Sequence, residues 1–504
     1  MGPRRGSRLA PVIVPALLIL AGFALRAAPM TAYRFHVDEA LYATHARAVA
    51  LEGDPLLLAH AVDKPPLGVY LTAASFALLG VSEFAARLPN VLASALSLAA
   101  LWALARRLDR AASDRRAAAA GLALLLVALS PYDVLFAPTV FAEPQVTLWT
   151  VLACWAVAGD RWGWAGVAFG LALATKQSAL FFLPLPLALG VIGHAGQGWR
   201  RLARRLARRL ARFALPVLAC VALLALWDAP RGPEQSFWAL GYAHNAPDRW
   251  IRAGEVVPRL EAWAGWLRAF TGSDLLSLAL LAAAVAGLAR RALKWPRRRD
   301  TVIDLALAGF ALAYLGLLWL RAFNTYDRYV HTLLPFLALL AARGAAEAIR
   351  PLAALAGNAW PKAGRNRAAA LWVIATVLIV ACAVGPLAAA LRGDVAVGGD
   401  KGDHDGIEAT AAYLNTLAPG TRVCDHWLGW LLGFYLGGET SVTLAWVPRP
   451  DALATHAPCY LPAPAGAPIA RWLAVADQVD LSMERVYLAR DRWGAPSFVV
   501  YRVA

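Results

Sequence analysis

Ionisable residues of this sequence gather in short polar stretches between long apolar segments. One stretch holds His36, Asp38 and Glu39, and a second holds Asp63 and Lys64, followed by two prolines. A carboxylate can act as general base toward a hydroxyl or an amine. A cation can stabilise a phosphate leaving group while its charge develops. The two stretches together therefore predict transfer of a group from a phosphate ester, with Asp38 as the base and Lys64 facing the phosphate.

Three further ionisable residues extend this candidate site: Glu143 before Pro144, Lys176 in a short turn, and Arg328. Glu143 and Asp63 are expected to orient the acceptor, to bridge a metal, or to hold Asp38 and Lys64 in place. Arg328 has two open interpretations, a phosphate contact or an ion pair with its neighbour Asp327.

These residues also have structural interpretations that involve no catalysis. Asp38 is placed to cap a helix, because aspartate is a favoured N-cap. Lys64 is placed to extend its ammonium group toward water from a membrane interface. Glu39 is expected to support Asp38 by hydrogen bonding, and His36 and Lys176 are further supporting residues.

The composition identifies the elements that must carry these residues. The chain has 504 residues, of which 60% are hydrophobic, and its mean hydropathy is +0.52. Apolar stretches long enough to cross a bilayer recur until about residue 391. The fold class predicted is an α-helical polytopic membrane protein with about eleven spans, at 11–29, 86–105, 117–135, 144–158, 163–176, 178–194, 213–228, 273–289, 302–320, 331–349 and 370–391.

The net charge of +16 is explained by membrane topology. Arginines form short runs between apolar spans, and they are not interleaved with aromatic residues as in a nucleic-acid-binding face. If the N-terminus with Arg4, Arg5 and Arg8 is cytoplasmic, the basic loops fall inside, as the positive-inside rule requires. Every candidate site residue then lies on the outer side. The alternative for the first span is a cleaved signal peptide. The alternative for the basic runs is specific binding of anionic lipid.

Two domains are expected. Residues 1–391 form the transmembrane domain, with a first outer loop at 30–85 and a second large, tryptophan-rich outer loop at 229–272. Residues 392–504 are predicted to form a small extracytoplasmic α/β domain, with a helix over 407–417 and strands at 422–424, 441–446, 485–489 and 497–503. Cys424 and Cys459 lie in this domain, and whether they form a disulfide stays open.

Three motifs carry a resemblance to a known superfamily. They are Phe35 to Ala43 (FHVDEALYA), Asp63 to Leu67 (DKPPL) and Glu83 to Pro89 (EFAARLP). In order and spacing they resemble the first outer loop of C-type glycosyltransferases, and most of all the dolichyl-phosphate-mannose protein mannosyltransferases and bacterial aminoarabinose transferases. The resemblance extends through Phe141 to Pro144, Thr175 to Gln177 and Asp327 to Tyr329.

The resemblance implies a polyprenyl-phosphate-linked monosaccharide donor, inversion at the anomeric carbon, and a protein, lipid or glycan acceptor at the outer face of a bacterial inner membrane. It puts Asp38 at the catalytic acidic position of the first loop, Glu143 at the second acidic position and Lys64 at the donor phosphate. From the residues themselves, Glu39 is added to the catalytic group and Arg328 to the donor phosphate. Relatives often have aspartate where this chain has Glu143. Some relatives hold a divalent metal ion on acidic residues, here Asp38 and Glu143, and others need none, so the cofactor stays open.

Two other classes of protein were compared with this interpretation. A lipid or lipid-linked sugar flippase is expected to keep ionisable residues within its spans, often in paired inverted halves. A non-catalytic envelope scaffold leaves the Asp-Glu and Asp-Lys-Pro-Pro motifs without a role. The chain favours the enzyme, because its candidate residues lie at one membrane face.

Overall fold

The computed structural model describes residues 10–108, 114–192, 199–245, 249–293, 299–359, 366–395, 397–399, 401–438 and 440–504. Arg4, Arg5 and Arg8, on which the prediction of a cytoplasmic N-terminus rests, lie outside these ranges.

The chain divides into two compact units. The helical unit consists of Met1–Ala28, Leu58–Gly68 and Pro89–Arg392, and the mixed unit consists of Pro29–Leu57, Val69–Leu88 and Gly393–Ala504. This differs from the expected division at residues 391 and 392, because most of the first loop groups with the tail. Within the mixed unit, Arg47 of the loop donates hydrogen bonds to the carbonyl oxygens of Gly433 (2.9 Å) and Phe434 (3.0 Å) in the tail.

Helices dominate the structure. In chain order they are α1 (Ala10–Ala27), α2 (Val37–Leu51), α3 (Leu67–Leu79), α4 (Glu83–Leu108), α5 (Asp114–Ala128), α6 (Pro131–Phe136), α7 (Glu143–Ala158), α8 (Trp162–Thr175), α9 (Pro184–Ile192), α10 (Trp199–Asp228), α11 (Phe237–Asn245), α12 (Val256–Ala269), α13 (Asp274–Ala292), α14 (Arg299–Leu320), α15 (Arg328–His331), α16 (Leu334–Ala359), α17 (Asn366–Arg392), α18 (Ile407–Leu414), α19 (Trp430–Tyr435) and α20 (Ala470–Gln478).

Among the described residues, five helices are long and apolar enough to cross a membrane: Glu83–Leu108, Ala203–Arg231, Asp274–Ala292, Arg299–Leu320 and Ala370–Arg392. A hydrocarbon core of roughly 30 Å needs about 20 helical residues. The chain is therefore an integral membrane protein. Shorter apolar helices also occur, such as α3 before the first long helix and α8 between the first two.

Two predicted spans are broken. The stretch 117–135 is not one helix, since α5 ends at Ala128 and α6 begins at Pro131. Ser130 caps α6 by accepting a hydrogen bond from the Asp133 backbone N–H (3.3 Å), and Pro131 suits the first helical position. The stretch 178–194 begins as a 3-10 turn over Gln177–Phe182 before α9 starts at Pro184.

Helix α10 is longer than the predicted span 213–228, because it starts inside the basic run that was expected to form a loop. Arginine, leucine and alanine are strong helix formers, so the repeated RRLA sequence continues the helix. Farther along, α10 packs closely on α8, where the Cys220 thiol donates to the Gly170 carbonyl at 3.0 Å. A Cβ atom at Gly170 would lie 3.0 Å from the Cβ of Cys220, so the two helices approach closely at this glycine.

The tail of the mixed unit contains a five-stranded sheet in the order β2-β1-β3-β5-β4. The strands are β1 (Arg422–Asp425), β2 (Thr443–Trp446), β3 (Cys459–Pro464), β4 (Met483–Arg490) and β5 (Pro496–Val503). Strand β1 runs parallel to β2 and β3, whereas β5 pairs antiparallel with β3 and β4. A disulfide between Cys424 and Cys459 joins β1 to β3, with 5.9 Å between their Cα atoms.

The four strands and the helix predicted in the tail are all present, with bounds shifted by one to three residues. Strand β3 was missed. It contains Pro462 and Pro464, which lack a backbone N–H and argue against a central strand. The structure nevertheless pairs it along its length with β5, with Pro462 opposite Val500.

Candidate active site

Basic side chains of the helical unit line a largely apolar cavity of about 400 Å³. Lys64, Lys176 and Arg321 contribute the charges. The other lining residues are mainly aromatic or aliphatic: Gln177, Ser178, Leu180, Phe181, Trp238, Gly241, Tyr242, Asn245, Tyr314, Leu317, Leu318, Phe323 and Tyr329. Such a cavity fits an anionic group joined to an apolar chain.

Asp63 and Lys64 are held where α3 is about to begin. The Lys64 ammonium donates to the Asp63 carboxylate, and the Gln177 amide donates to the Asp63 carbonyl oxygen at 2.7 Å. Helix α11 approaches closely, and a Cβ atom at Gly241 would lie 2.8 Å from that same carbonyl oxygen. The backbone of this motif is therefore fixed from two sides.

The Asp63 carboxylate faces several hydrogen-bond donors. Its Oδ2 lies 3.5 Å from Nδ2 of Asn245 and 3.6 Å from Nδ1 of His244. Burial favours the neutral acid, but the Lys64 charge, the hydrogen bonds from Lys64 and Asn245, and the His244 charge outweigh burial and lower the pKa of Asp63. Asp63 is thus an ionised carboxylate that holds Lys64 at the cavity.

Glu143 and Lys176 form a buried ion pair. Lys176 lies between α8 and the 3-10 turn, and its ammonium donates to the Glu143 carboxylate at the first residue of α7. The helix dipole favours a negative charge at that position. The Lys176 Nζ also lies 5.7 Å from the ring centroid of Tyr329. Lys176 therefore takes part both in the ion pair and in the cavity wall.

Arg328, at the start of α15, packs against aromatic rings. Its guanidinium carbon lies 4.5 Å from the ring centroid of Tyr326 and 5.1 Å from that of Phe141. Its charge, together with that of Lys176, acts on the Glu143 carboxylate. The Asp327 carboxylate accepts a hydrogen bond from the Arg328 backbone N–H at 2.6 Å. Glu143 thus lies close to two cations of the candidate site, Lys176 and Arg328.

His36, Asp38 and Glu39 lie in the mixed unit, at the start of α2. His36 is the N-cap residue, since its Nδ1 accepts from the Asp38 backbone N–H at 3.1 Å. Glu39 completes a capping box by accepting from the His36 backbone N–H at 3.0 Å. The capping role weighed for Asp38 therefore belongs to His36, and Asp38 is a half-buried residue of the first turn.

Glu39 is buried and bound to Arg87. The guanidinium donates to both carboxylate oxygens, at 3.1 and 3.2 Å, and to the carbonyl oxygens of Met30 and Tyr33, both at 2.8 Å. Burial alone would raise the pKa of Glu39, but the charge and hydrogen bonds of Arg87 lower it. This geometry makes Glu39 an anchor for the start of α2 and explains the arginine in the third motif.

The predicted residues thus fall into two groups. The helical unit brings together Asp63, Lys64, Glu143, Lys176 and Arg328, and the mixed unit holds His36, Asp38 and Glu39. No group of three or more histidine, cysteine, aspartate or glutamate side chains that could hold a metal ion occurs among the described residues.

Several residues of the helical unit were not predicted. Asn245 and Trp238 line the cavity, and Trp238 belongs to the tryptophan-rich loop at 229–272. A buried network also joins α1, α6 and α15, in which Asp133 accepts from Arg26 (3.1 Å) and lies 2.7 Å from Nε2 of His331. Charged residues within apolar segments are a usable signal for such networks, because they are rare there.

Comparison with known proteins agrees with this description. Residues 63–227 match the family described as dolichyl-phosphate-mannose-protein mannosyltransferase. An undecaprenyl phosphate-alpha-4-amino-4-deoxy-L-arabinose arabinosyl transferase of Pseudomonas aeruginosa is 31% identical over 294 residues, which cover 54% of this chain and 48% of that protein. A Pseudomonas fluorescens protein of the same description is 25% identical over 56% of this chain and 48% of its own length. The match thus spans about half the length of these curated relatives.

Solved structures share the fold. Apo ArnT from Cupriavidus metallidurans aligns over 97% of both chains with a TM-score of 0.59 and 19% identity. The same protein bound to undecaprenyl phosphate gives a TM-score of 0.58 at 17% identity, over 98% of both chains. An oligosaccharyltransferase of Archaeoglobus fulgidus gives 0.55 at 12% identity, over 91% of this chain and 70% of that one. The chain thus shares the fold of these solved structures, and its residues 63–227 are similar to the dolichyl-phosphate-mannose-protein mannosyltransferase family.

Proposed function

We propose that this protein transfers a monosaccharide from a polyprenyl-phosphate donor to an acceptor at the outer face of the membrane. The observation that carries the proposal is the cavity of the helical unit, where Lys64, Lys176 and Arg321 share one space with aromatic and aliphatic side chains. A phosphate needs cationic partners, and an isoprenoid chain needs an apolar wall. The relatives named for undecaprenyl-phosphate-sugar transfer support the same donor class.

In the proposed reaction an acceptor oxygen or nitrogen attacks the anomeric carbon of the donor sugar. Asp38 accepts the proton of that nucleophile as it attacks. The bond from the anomeric carbon to the phosphate oxygen breaks, and the electron pair leaves on the polyprenyl phosphate. Attack opposite the leaving group inverts the anomeric carbon.

The cations stabilise the charge that develops on the leaving phosphate. Lys64 and Arg328 are the proposed phosphate ligands, and Asp63 holds Lys64 through its hydrogen bond. Glu143, assigned to the second acidic position of the family, is proposed to keep Lys176 charged and in place, since the two form a buried ion pair. His36 and Glu39 fix the first turn of α2, which carries Asp38.

The proposed topology places about eleven spans in the inner membrane of a bacterium, with the N-terminus in the cytoplasm. Residues 392–504 then form an extracytoplasmic α/β domain. Support comes from the arginine runs near residues 106, 205, 290 and 350, which alternate with loops that carry the candidate site.

The test is transfer of radiolabelled sugar from purified polyprenyl-phosphate monosaccharides to membrane extracts, with the protein in nanodiscs. Loss of a general base costs about 10²- to 10⁴-fold, so Asp38→Asn is expected to lower transfer at least about 100-fold. The matched control is Asp451→Asn, an exposed aspartate of the same unit whose partner is Arg449, and it is expected to leave transfer unchanged.

The acceptor class is identified by where the label appears, in protein, lipid or glycan. Full transfer by Asp38→Asn would remove Asp38 as the base. Absence of transfer from every donor, by folded wild-type protein, would overturn the proposed activity.

A further inference from the structure

A second cavity, of about 580 Å³, lies within the mixed unit. We call it the tryptophan groove. Its lining includes Val37, His426, Trp427, Trp430, Leu444 and Trp446. It shares no lining residue with the cavity of the helical unit. Val37 is the neighbour of Asp38 in the first turn of α2, so the groove begins beside the proposed base.

Large apolar side chains are exposed along this groove. Trp446 is 59% exposed, Leu444 is 40% exposed and Trp430 is 38% exposed. Leu444 and Trp446 are two positions apart on β2, which is an edge strand of the sheet. Both side chains therefore point to the same face of the sheet. Exposed apolar residues on an edge strand favour unwanted association unless a partner covers them. The groove therefore has the character of a binding surface.

The aromatic rings are held in fixed positions. His426 stacks with Trp446, with 5.8 Å between ring centroids and 18° between planes. It also contacts Trp427 and Trp472, both at 4.8 Å between centroids. Trp472 belongs to the buried core of the sheet. A rigid aromatic wall loses little conformational entropy when a ligand binds.

Polar groups are interspersed with the rings. Nδ1 of His426 lies 2.8 Å from the Val447 carbonyl oxygen. Because a carbonyl only accepts, Nδ1 carries the proton, and in the neutral ring Nε2 is left as an acceptor for a ligand hydroxyl. The Asp425 carboxylate accepts from the backbone N–H groups of Leu428 (2.9 Å) and Gly429 (2.6 Å), which fixes the loop that lines the groove.

We propose that the tryptophan groove binds a saccharide of the acceptor and presents it toward Asp38. Pyranose rings carry a face of C–H groups that packs on indole, and hydroxyl groups that hydrogen-bond at the ring edge. Flat aromatic rings with hydrogen-bond acceptors between them match both features of a pyranose. A lipid chain, in contrast, carries no hydrogen-bond donor for these acceptors. The assignment to the acceptor rests on the proposed transferase function and on the position of Val37 next to Asp38.

Saccharide binding is measured without any donor, using the full-length protein in nanodiscs on an array of pyranose oligosaccharides that includes bacterial surface glycans. Wild type is expected to bind at least one of these glycans, and Trp446→Ala to weaken that binding at least tenfold. The matched control is Trp493→Ala, which removes a 74% exposed tryptophan of the same unit that does not line the groove. Equal binding by Trp446→Ala, or no binding by wild type, overturns the inference.

Two further measurements separate the groove from the transferase function. In the transfer assay, Trp446→Ala is expected to raise the KM for the acceptor and leave the KM for the donor unchanged. Glycan binding that depends on Trp446, in a protein without transferase activity, would refute the proposed function but retain saccharide binding by the groove.

Contact of Trp446 with lipid is tested by fluorescence quenching with brominated lipid, and the Trp446 signal is the difference between wild type and Trp446→Phe. Quenching of that signal would assign the ring to the membrane surface and overturn the inference.

Discussion

At the residue scale, the buried pair of Glu143 and Lys176 allows a direct test of stability. Removing one member of a buried ion pair leaves the other charge without compensation, which typically costs about 3 to 5 kcal/mol. We expect Lys176→Met to lower the free energy of unfolding by about this amount, measured by chemical unfolding in detergent micelles. The double variant with Glu143→Gln is expected to recover a large part of the loss, since the Glu143 charge that Lys176 no longer balances is removed as well.

The matched control for this pair is Arg449→Met, which removes one member of an exposed ion pair with Asp451. Exposed pairs contribute little to stability because water screens them. A stable Lys176→Met variant, or a double variant as unstable as the single one, would contradict the buried pairing described above.

Asp63 predicts a pH dependence at the same scale. Its folded-state pKa is lower than its ordinary value of 3.8. A depressed pKa means that the ionised form stabilises the fold above the ordinary pKa, and that this contribution disappears as the pH falls through the folded-state pKa. Wild-type stability is therefore expected to drop more steeply than that of Asp63→Asn as the pH falls below the ordinary pKa of 3.8. Parallel curves would show that Asp63 has no such interaction.

The sequence predicted these residues by type but not their partners. Asp63, Lys64, Glu143 and Lys176 were selected because ionisable groups are rare beside apolar segments. Lys176 meets Glu143 across 33 residues and Asn245 approaches Asp63 across 182 residues. Such contacts depend on how the helices pack, and no local pattern encodes them. Arg87 was likewise quoted only as part of a motif, and its bond to Glu39 became visible in the fold.

At the scale of elements, proline explains two of the differences between the predicted and the observed elements. Pro131 starts a new helix where a continuous span was predicted, because hydropathy does not register a helix break. Pro462 and Pro464 hid β3, because the isolated sequence does not reveal that β5 would pair with it. Helix α2, by contrast, begins at a capping box, which is a local signal in the sequence.

The disulfide between β1 and β3 gives a prediction for the sheet. It closes a loop with a sequence separation of 35 residues, for which the chain-entropy model gives about 3 to 4 kcal/mol. Cys424→Ser with Cys459→Ser is expected to lower the unfolding midpoint of the mixed unit, measured by tryptophan fluorescence. A reducing agent should lower the midpoint of wild type and leave that of the double variant unchanged. Cys154→Ser is the control, because this buried cysteine has no disulfide partner. Equal midpoints for wild type and the double variant would refute the role of the disulfide.

At the scale of the whole molecule, length and hydropathy define only part of the membrane topology. Helix α8 has 14 residues and is about 21 Å long at 1.5 Å per residue, shorter than the roughly 30 Å of a hydrocarbon core. Its close packing on α10 through Gly170 shows how a short helix can be accommodated by a longer neighbour. The count of eleven spans therefore stays a prediction that depends on the alternation of basic loops.

Reporter fusions test this topology. With the N-terminus inside and the spans as predicted, a fusion after Ala504 faces outward and a fusion after Leu293 faces the cytoplasm. Alkaline phosphatase folds only in the oxidising outer compartment, so it is expected to be active after Ala504 and inactive after Leu293, whereas green fluorescent protein should give the opposite pattern. The fusion after Leu293 is thus the experimental control for the fusion after Ala504, and the reverse also holds. Cytoplasmic signals at Ala504 would place Asp38 and the tryptophan groove on the wrong side for an outer acceptor, and the proposed reaction would then have to be abandoned even if the fold is unchanged.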